Sequence, residues 1–272
     1  MGILYIVPTP IGNLDDITLR ALKVLREVNL IAAEDTRRAA ILLSHFDLHT
    51  PVTSYFEHNK LSKLERILSA LEQGDVALIS EAGTPGLSDP GYELIRAAIA
   101  RGQRIVPLPG ATAAITALVA SGLPTDSFVF VGFLSRKAGE RKRALEQLKS
   151  EGRTLIFYEA PHRVGDTLAD MLEIFGDRSL CAARELTKVH EEIWRGTIAE
   201  ALQHFGAKAL GEFVLVVAGA LAADRWDEAR VHAALQVELA AGASASEAAR
   251  QVAEVSGWHK RAVYALLNKE GS

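Results

Sequence analysis

The sequence predicts an α/β protein made of two α/β domains followed by a small helical appendage. Apolar runs of strand length alternate with helical patterns through most of the 272 residues. Both patterns break together in the stretch SGLPTD (121–126), where glycine, proline and aspartate fall within five residues. Strand signals then stop after Asp224. We therefore predict α/β domains at residues 1–122 and 123–222, and a helical appendage at 223–272.

The first domain is predicted from strands that end at turn residues and helices that follow them. The helix before the third strand closes on a glycine, which is a typical helix C-terminal signal. In order, the elements are the strand ILYIV, a helix with Leu19, Leu22 and Leu25 at helical spacing, the strand VNLIAAED, a helix around Arg37 to Ser44, the helix KLERILSALEQG, the strand DVALIS, the helix YELIRAAIARG, the strand QRIVPLP and the helix ATAAITALVASG.

The second domain resumes the same alternation, and the appendage is helical throughout. Its last two helices are separated by a short turn at Gly257, a pattern that resembles a helix-turn-helix. In order, the elements are the strand SFVFVGF, a basic helix, the strand RTLIFYEA, the helix VGDTLADMLEIFG, the strands SLCAARE, EEIWRGT and EFVLVVAG, and the helices RWDEARVHAALQVELAAG, SASEAARQVAEVSG and HKRAVYALLNK.

Composition restricts the class of protein. The net charge is −4, so no global basic field indicates a nucleic-acid partner, and a polyanion would have to meet local patches. The single cysteine, Cys181, sits in an apolar run and is predicted to be a buried thiol. No N-terminal targeting signal is visible, and the most apolar stretches fall below the ~18 residues that span a bilayer. We expect a cytoplasmic protein without a membrane partner.

Three turns at predicted strand ends are unusual. PTPIGN follows the first strand, and its two prolines lack the N–H groups that a phosphate-binding loop needs. Ser80 to Gly91, SEAGTPGLSDPG, holds three glycines and two prolines, which allow a ligand to approach the backbone closely. PLPGATAA leads to a helix start near Thr112, whose free N–H groups can meet a polar ligand. Because strand ends in α/β sheets face open crevices, these turns predict a ligand site.

Several common chemistries lack their motifs. G-x-G-x-x-G, G-x-x-x-x-G-K-[ST], H-E-x-x-H, paired C-x-x-C and G-x-S-x-G are all missing from the sequence. Dinucleotide, ATP, zinc and serine-hydrolase sites are therefore not predicted, and we expect no metal.

The unusual turns, in this order and spacing, resemble the tetrapyrrole methylase superfamily, whose members bind S-adenosylmethionine in a cleft between two α/β domains. LYIVPTPIGNLDDITLRALKVL, EDTR, ISEAGTPGLSDPG, VPLPGATAAITAL, FYEAPHR and RELTKVHEE carry the resemblance, which covers residues 3 to about 220. They are closest to a branch that methylates a cytidine 2′-hydroxyl in the decoding region of 16S ribosomal RNA. The resemblance implies a fold of the tetrapyrrole methylase type, 16S ribosomal RNA or the small ribosomal subunit as partner, and a homodimer.

S-adenosylmethionine carries no phosphate, so its turn needs shape and backbone carbonyls instead of an N–H nest. Where porphyrin-modifying relatives have G-x-G-P-G-D, this chain has P-T-P-I-G-N, which argues against a tetrapyrrole substrate. The positions that the resemblance implies for the cofactor are Ile11, Gly12, Gly83, Thr84, Leu87, Thr112, Ala113, Tyr158, Ala160, Ala218 and Gly219.

Polar residues crowded at strand ends are the candidates for catalysis. A ribose hydroxyl is a poor nucleophile, so a base or a cation that stabilises the developing alkoxide is expected. Glu81 or Lys188 is our candidate for assisting loss of the hydroxyl proton. Glu159, in YEAPHR, and Glu185, in RELTKVHEE, are further candidates.

Contacts with RNA are predicted where positive charge is local. SRKAGERKR carries a net charge of +4 in nine residues, although most charge runs are only solvated helix faces. Arg37 and Arg38 are candidate phosphate clamps, and His58 lies in a loop where a flipped base could stack. The full set is Arg37, Arg38, His58, Arg136, Lys137, Arg141, Lys142, Arg143, His162 and Arg163.

Two other functions stay open at this point. The first is methylation of a porphyrin or corrin on the same fold. The second is a DNA-binding regulator, with the helix-turn-helix as reader and the α/β body as metabolite sensor; the balanced charge of the tail counts against it.

Overall fold

A computed structural model of the chain describes residues 2–56, 60–206, 209–220, 226–258 and 260–267. The chain forms two compact units. The larger comprises Met1–Lys149 and Arg153–Ala218, and the smaller comprises Ser150–Gly152 and Gly219–Ser272. The larger unit holds two five-stranded sheets. Its division near residue 122 stays a prediction.

The first sheet and its helices alternate from the start of the chain. The elements are β1 (Ile3–Ile6), a 3-10 turn (Leu14–Asp16), α1 (Leu19–Glu27), β2 (Leu30–Ala33), α2 (Thr36–His45), β3 (Val52–Ser54), α3 (Lys60–Gln73), β4 (Val76–Ile79), α4 (Tyr92–Ala100), β5 (Arg104–Pro107) and α5 (Ala113–Ser121).

All strand pairs of the first sheet are parallel, in the order β3-β2-β4-β1-β5. The carboxyl ends of the strands therefore meet at one edge of the sheet. The connection from β1 through α1 to β2 runs toward the β3 edge of the sheet, whereas the connection from β4 through α4 to β5 runs toward the β5 edge. The loops after the neighbouring strands β1 and β4 therefore leave in opposite directions. Such a switch point is where open α/β sheets bind ligands, and it places the predicted first and second turns together.

The start of α1 corrects one detail of the sequence pattern. Thr18 caps the helix, since its hydroxyl oxygen accepts from the N–H of Ala21 at 3.0 Å. The buried face consists of Ala21, Val24 and Leu25, whereas Leu19 is exposed.

The second sheet begins after a left-handed Gly122, with a φ of 79°, that ends α5. Its elements are β6 (Phe128–Phe133), α6 (Ala138–Leu148), β7 (Thr154–Glu159), α7 (Val164–Phe175), β8 (Ser179–Arg184), β9 (Glu192–Thr197), α8 (Ile198–Phe205) and β10 (Phe213–Val217).

The second sheet is mixed, in the order β6-β7-β10-β8-β9. β6 and β7 are parallel, while β10 is antiparallel to both β7 and β8. β10 is buried along its whole length, which explains its continuous apolar sequence FVLVV. Cys181 is buried in this sheet, as predicted.

Two elements escaped the sequence patterns. β3 is only three residues long, too short for periodicity, and is paired to β2 alone. α8 follows β9 without a loop, and its start at Thr197 is a capping box with Glu200.

The smaller unit is helical, with α9 (Glu228–Ala240), α10 (Ala245–Ser256) and α11 (Lys260–Leu266). α10 ends at Gly257, which has the left-handed φ of 68° expected at a turn between two helices. Trp258 donates its indole N–H to the carbonyl of Trp226 at 2.6 Å, so both rings anchor this small core. The predicted fold class, α/β with a helix-turn-helix-like appendage, is confirmed. In the described parts of the chain, no helix has the length and apolar character needed to cross a membrane.

Candidate active site

A cavity of about 450 Å³ lies in the larger unit, between residues that follow strands of the first sheet and residues at one edge of the second. Its volume suits a ligand of cofactor size. From the first sheet, the lining residues are Ile11, Glu34, Glu81, Ala82, Gly83, Thr84, Leu87, Ser88, Asp89, Thr112 and Ala113. From the second, they are Phe133, Tyr158, Glu159, Ala160, Pro161, His162, Ala183, Glu185, Leu186, Lys188, Glu212, Phe213 and Val214.

The first and second turns are fastened to each other. The Thr9 N–H donates to the Gly83 carbonyl and the Gly83 N–H donates to the Thr9 carbonyl, both at 2.9 Å. Gly83 has a φ of 77°, and a Cβ there would lie 3.4 Å from Ile11. The prolines on either side of Thr9 stiffen the turn and lack N–H groups, and the Thr9 N–H between them is used by Gly83, so this part of the turn offers shape to a ligand and not a phosphate nest.

The second turn is also tied to the start of α5. The Thr84 hydroxyl donates to the Ala111 carbonyl at 3.1 Å. From the other sheet, the Tyr158 hydroxyl accepts from the N–H of Ala114 at 3.2 Å and so satisfies one of the free donors of the helix start. Burial raises the pKa of Tyr158, which keeps the phenol neutral. The three predicted turns therefore converge on one cavity.

Three carboxylates, Glu34, Glu81 and Asp89, form what we name the acid wall. Burial raises the pKa of Asp89 to about 7, and the negative charges of Glu34 and Glu81 add to the effect. Burial likewise raises the pKa of Glu34, with Glu81 and Asp35 adding to it. The carboxyls thus repel one another in a partly dry cavity, which favours a cationic ligand there.

Across the cavity, Glu185, Lys188 and Glu212 form what we name the paired wall. The Lys188 ammonium donates to Glu185 at 2.8 Å and to Glu212 at 3.0 Å. Burial acts to lower the pKa of Lys188, but the hydrogen bonds to the two carboxylates outweigh it and raise the pKa. The hydrogen bond from Lys188 lowers the pKa of Glu185. At neutral pH the paired wall therefore carries an ammonium at Lys188 and a carboxylate at Glu185.

The loop that carries the paired wall is strained and closely packed. Glu185 and Thr187 have left-handed φ angles of 50° and 67°, which non-glycine residues rarely adopt. A Cβ at Gly12 would lie 2.5 Å from the Lys188 side chain, and one at Gly211 would lie 2.3 Å from Glu185. The two glycines leave the space that Lys188 and Glu185 occupy.

Glu159 has a structural place in this site. It is 1 % exposed. One carboxylate oxygen accepts from the Ala160 N–H at 2.8 Å and lies 3.4 Å from Arg163 Nε, while the other accepts from the Thr167 hydroxyl at 2.6 Å. These contacts occupy both carboxylate oxygens and hold the turn after β7, so we correct the prediction of Glu159 as a catalytic residue.

Most predicted cofactor positions line this cavity, and three do not. Gly12 lines a neighbouring cavity. Ala218 follows the carboxyl end of β10, but β10 is antiparallel to β7, so the opposite end of β10, at Glu212 to Val214, reaches the cavity. Five residues of strand separate Ala218 from Phe213, roughly 17 Å, so the prediction for Ala218 is wrong. Gly219 belongs to the smaller unit.

The predicted basic patch on α6 is largely paired. Arg141 is 5 % exposed and its guanidinium bonds the buried Asp170 at 2.6 Å, so its prediction as an RNA contact is wrong. Lys142 bonds Glu173 at 2.6 Å, and Lys137 bonds Glu140 at 3.0 Å. Local periodicity could not show that Arg141 and Lys142 are paired, because their partners Asp170 and Glu173 come from α7. Arg136 and Arg143 remain exposed on this face.

The other predicted RNA residues fall in different surroundings. Arg163 donates to the carbonyls of Leu134 and Ser135 and is nearly buried, which corrects its prediction as an RNA contact. Arg37 folds back on Asp35, which caps α2, whereas His162 lines the cavity. Arg38 contacts Glu81 at 3.3 Å. His58 lies outside the described residues.

Sequence reasoning missed several residues of the cavity. Glu34 follows β2 and Asp89 lies in the long turn before α4, and nothing local showed that they meet. Glu212 carries no local signal, because the antiparallel pairing of β10 brings it to this edge. Phe133 reaches the same edge through the parallel pairing of β6 with β7, which places it opposite Tyr158.

The comparisons with known proteins agree with this architecture. The family model described as Tetrapyrrole (Corrin/Porphyrin) Methylases matches residues 3–202. A protein of Synechocystis sp. named Ribosomal RNA small subunit methyltransferase I is 49% identical over 271 residues, covering 98% of this chain and 97% of the relative. One of the same name from Halalkalibacterium halodurans is 48% identical, covering 99% and 96%.

Among solved structures, uroporphyrin-III C-methyl transferase from Thermus thermophilus, complexed with S-adenyl homocysteine, is similar in fold. Its TM-score is 0.57 at 16% identity, over 80% of this chain and 97% of that one. With a family model over most of the chain and relatives of nearly 50% identity over its full length, the chain belongs to the tetrapyrrole (corrin/porphyrin) methylase family, among the relatives named ribosomal RNA small subunit methyltransferase I.

Proposed function

We propose that this chain transfers a methyl group from S-adenosylmethionine to the ribose 2′-hydroxyl of a cytidine in the decoding region of 16S ribosomal RNA. The observation that carries the proposal is the cavity lining. Of the eleven residues that the resemblance implies for the cofactor, eight line this one cavity. The substrate, ribosomal RNA, is taken from the name of the relatives, and the match spans 96–97% of the length of each relative.

The cavity fits S-adenosylmethionine on charge as well as size. The acid wall holds carboxyls whose pKa values are raised by burial and by one another. A positively charged ligand relieves that repulsion. When bound, S-adenosylmethionine supplies an electrophilic methyl group on a sulfonium that leaves as a neutral thioether.

The chain's own residues then have separable tasks. Lys188 stays an ammonium, because its two carboxylate partners raise its pKa. It therefore serves as a hydrogen-bond donor that stabilises negative charge developing on the hydroxyl oxygen, not as a base. Glu185 is a poor base because its pKa is lowered. Of the predicted catalytic residues, we assign removal of the hydroxyl proton to Glu81, which lines the cavity.

The cellular setting is part of the proposal. We place the enzyme in the cytoplasm, acting on 16S ribosomal RNA or on the assembled small subunit, and working as a homodimer. The relatives' name supports the RNA substrate.

The test is transfer of labelled methyl groups by the purified chain. The acceptors are small ribosomal subunits from cells lacking the gene and, separately, a porphyrinogen. We expect label only in ribosomal RNA, at one cytidine, where 2′-O-methylation blocks alkaline cleavage of the adjoining phosphodiester. Labelling of the porphyrinogen, or RNA label that leaves alkaline cleavage unchanged, contradicts the proposal.

A further inference from the structure

A second cavity of about 210 Å³ adjoins the first. It is lined by the first turn, by the start of α2 and by residues that also face the larger cavity. The two cavities share Ile11, Glu81, Ala82, Lys188 and Glu212. We name these two cavities the larger chamber and the second chamber. Glu81, the candidate proton acceptor, and Lys188, the candidate ammonium donor, line both of them.

The larger chamber holds most of the residues implied for the methyl donor. A transfer reaction needs its acceptor to approach from the other side of the reacting groups, with the reacting atoms about 3–3.5 Å apart. The second chamber opens on the same boundary residues, so an acceptor held there reaches Glu81 and Lys188 without entering the donor chamber.

The charge and shape of the second chamber point to one class of ligand. Arg38 lines it, and its guanidinium Nε lies 3.3 Å from Glu81 Oε1. Both side chains are more than half exposed, so this ion pair is weak and readily exchanged for another anion. Ile41 also lines the chamber and is 60 % exposed, an apolar surface beside the cation.

A guanidinium next to an apolar patch matches a phosphate joined to a sugar ring. The chamber is smaller than the range of about 300–1,000 Å³ typical of whole drug-sized ligands, which suits one sugar–phosphate unit. We infer that this second chamber binds the acceptor ribose with its phosphate on Arg38 and directs the 2′-hydroxyl toward Glu81 and Lys188.

This inference rests on the proposed function and adds a coupling to it. When a phosphate takes Arg38, Glu81 loses its cationic partner while the hydroxyl arrives beside it. Binding of the acceptor therefore frees the Glu81 carboxylate from Arg38 as the hydroxyl reaches it.

The test compares Arg38→Gln with Arg26→Gln. Arg26 is an exposed residue near the end of α1 that lines neither chamber, so its substitution removes the same charge elsewhere. We expect Arg38→Gln to weaken binding of unmodified small subunits about ten-fold and to lower the salt dependence of binding by about one phosphate contact. Arg38→Lys should restore part of the loss, and Arg26→Gln should match the wild type.

A second variant, Ile41→Trp, fills the chamber without touching the larger one. It should also weaken subunit binding, while the Kd for S-adenosylhomocysteine, measured by calorimetry, stays within two-fold of the wild type in both chamber variants. Unchanged subunit binding in Arg38→Gln and Ile41→Trp overturns the inference, as does equal loss in Arg38→Gln and Arg26→Gln. If the wild type itself does not methylate subunits, the proposed function fails instead, which separates the two outcomes.

Discussion

The two walls of the large cavity handle charge in opposite ways. In the paired wall, Lys188 donates hydrogen bonds to both Glu185 and Glu212, and the pKa of Glu185 is lowered. In the acid wall, burial raises the pKa values of Glu34 and Asp89, the charge of Glu81 adds to both, and the charge of Glu34 adds to that of Asp89. The paired wall is complete without a ligand, whereas the acid wall is completed by a cation. A ligand should therefore change the energetics of the acid wall more than those of the paired wall.

The largest expected effect comes from breaking the paired wall. Lys188→Met removes the ammonium and leaves Glu185 and Glu212 facing each other, so methyl transfer should fall about 100-fold or more. Single-turnover transfer to unmodified subunits measures it. Lys188→Arg keeps the charge and should retain more activity. A loss of only a few-fold in a folded Lys188→Met protein removes the residue from the chemistry.

The next effect is on stability and tests Glu159 as a structural residue. Glu159→Ala leaves Thr167 and the Ala160 N–H without their buried acceptor and Arg163 without its nearby carboxylate. The free energy of unfolding should fall by about 2–4 kcal/mol. Urea unfolding measures the change. Ser135→Ala, which removes a hydroxyl bound to the exposed Glu140, should cost much less. If Glu159→Ala is as stable as the wild type but inactive, Glu159 acts in catalysis.

A smaller effect sharpens the description of the acid wall. Asp89→Asn removes one carboxylate near the site proposed for the sulfonium. We expect affinity for S-adenosylmethionine to fall about five- to ten-fold relative to affinity for S-adenosylhomocysteine, which lacks the positive charge. Calorimetry with both ligands gives the ratio. The exposed Asp126, changed to Asn, is the matched control, and an equal loss for both ligands contradicts a charge effect.

The smallest expected effect is a pH dependence. Because the pKa of Asp89 is about 7, this carboxyl is mostly protonated at pH 6 and mostly ionised at pH 8. The cation should bind about three-fold more tightly at pH 8, and the Asp89→Asn variant should lose this dependence.

The titration of Asp89 also changes the free energy of unfolding with pH. A carboxyl whose pKa is raised on folding destabilises the protein once the unfolded chain ionises, so stability is lost as the pH rises from about 4 to 7. Asp89→Asn should therefore raise the melting temperature more at pH 8 than at pH 4. A uniform shift at both values contradicts the raised pKa.

The sequence alone determined the fold class, nearly all strands and helices, and the three turns that line the site. Those features are local: apolar periods of two or 3.6 residues, and proline and glycine at fixed points of a turn. Tertiary structure decided which basic side chains are paired within the protein. Arg141 and Arg163 are predicted RNA contacts in the sequence, but in the structure they bind Asp170 and the carbonyls after β6, which come from other elements. It also decided which end of β10 faces the cavity, because strand direction depends on pairing with β7 and not on the strand's own residues.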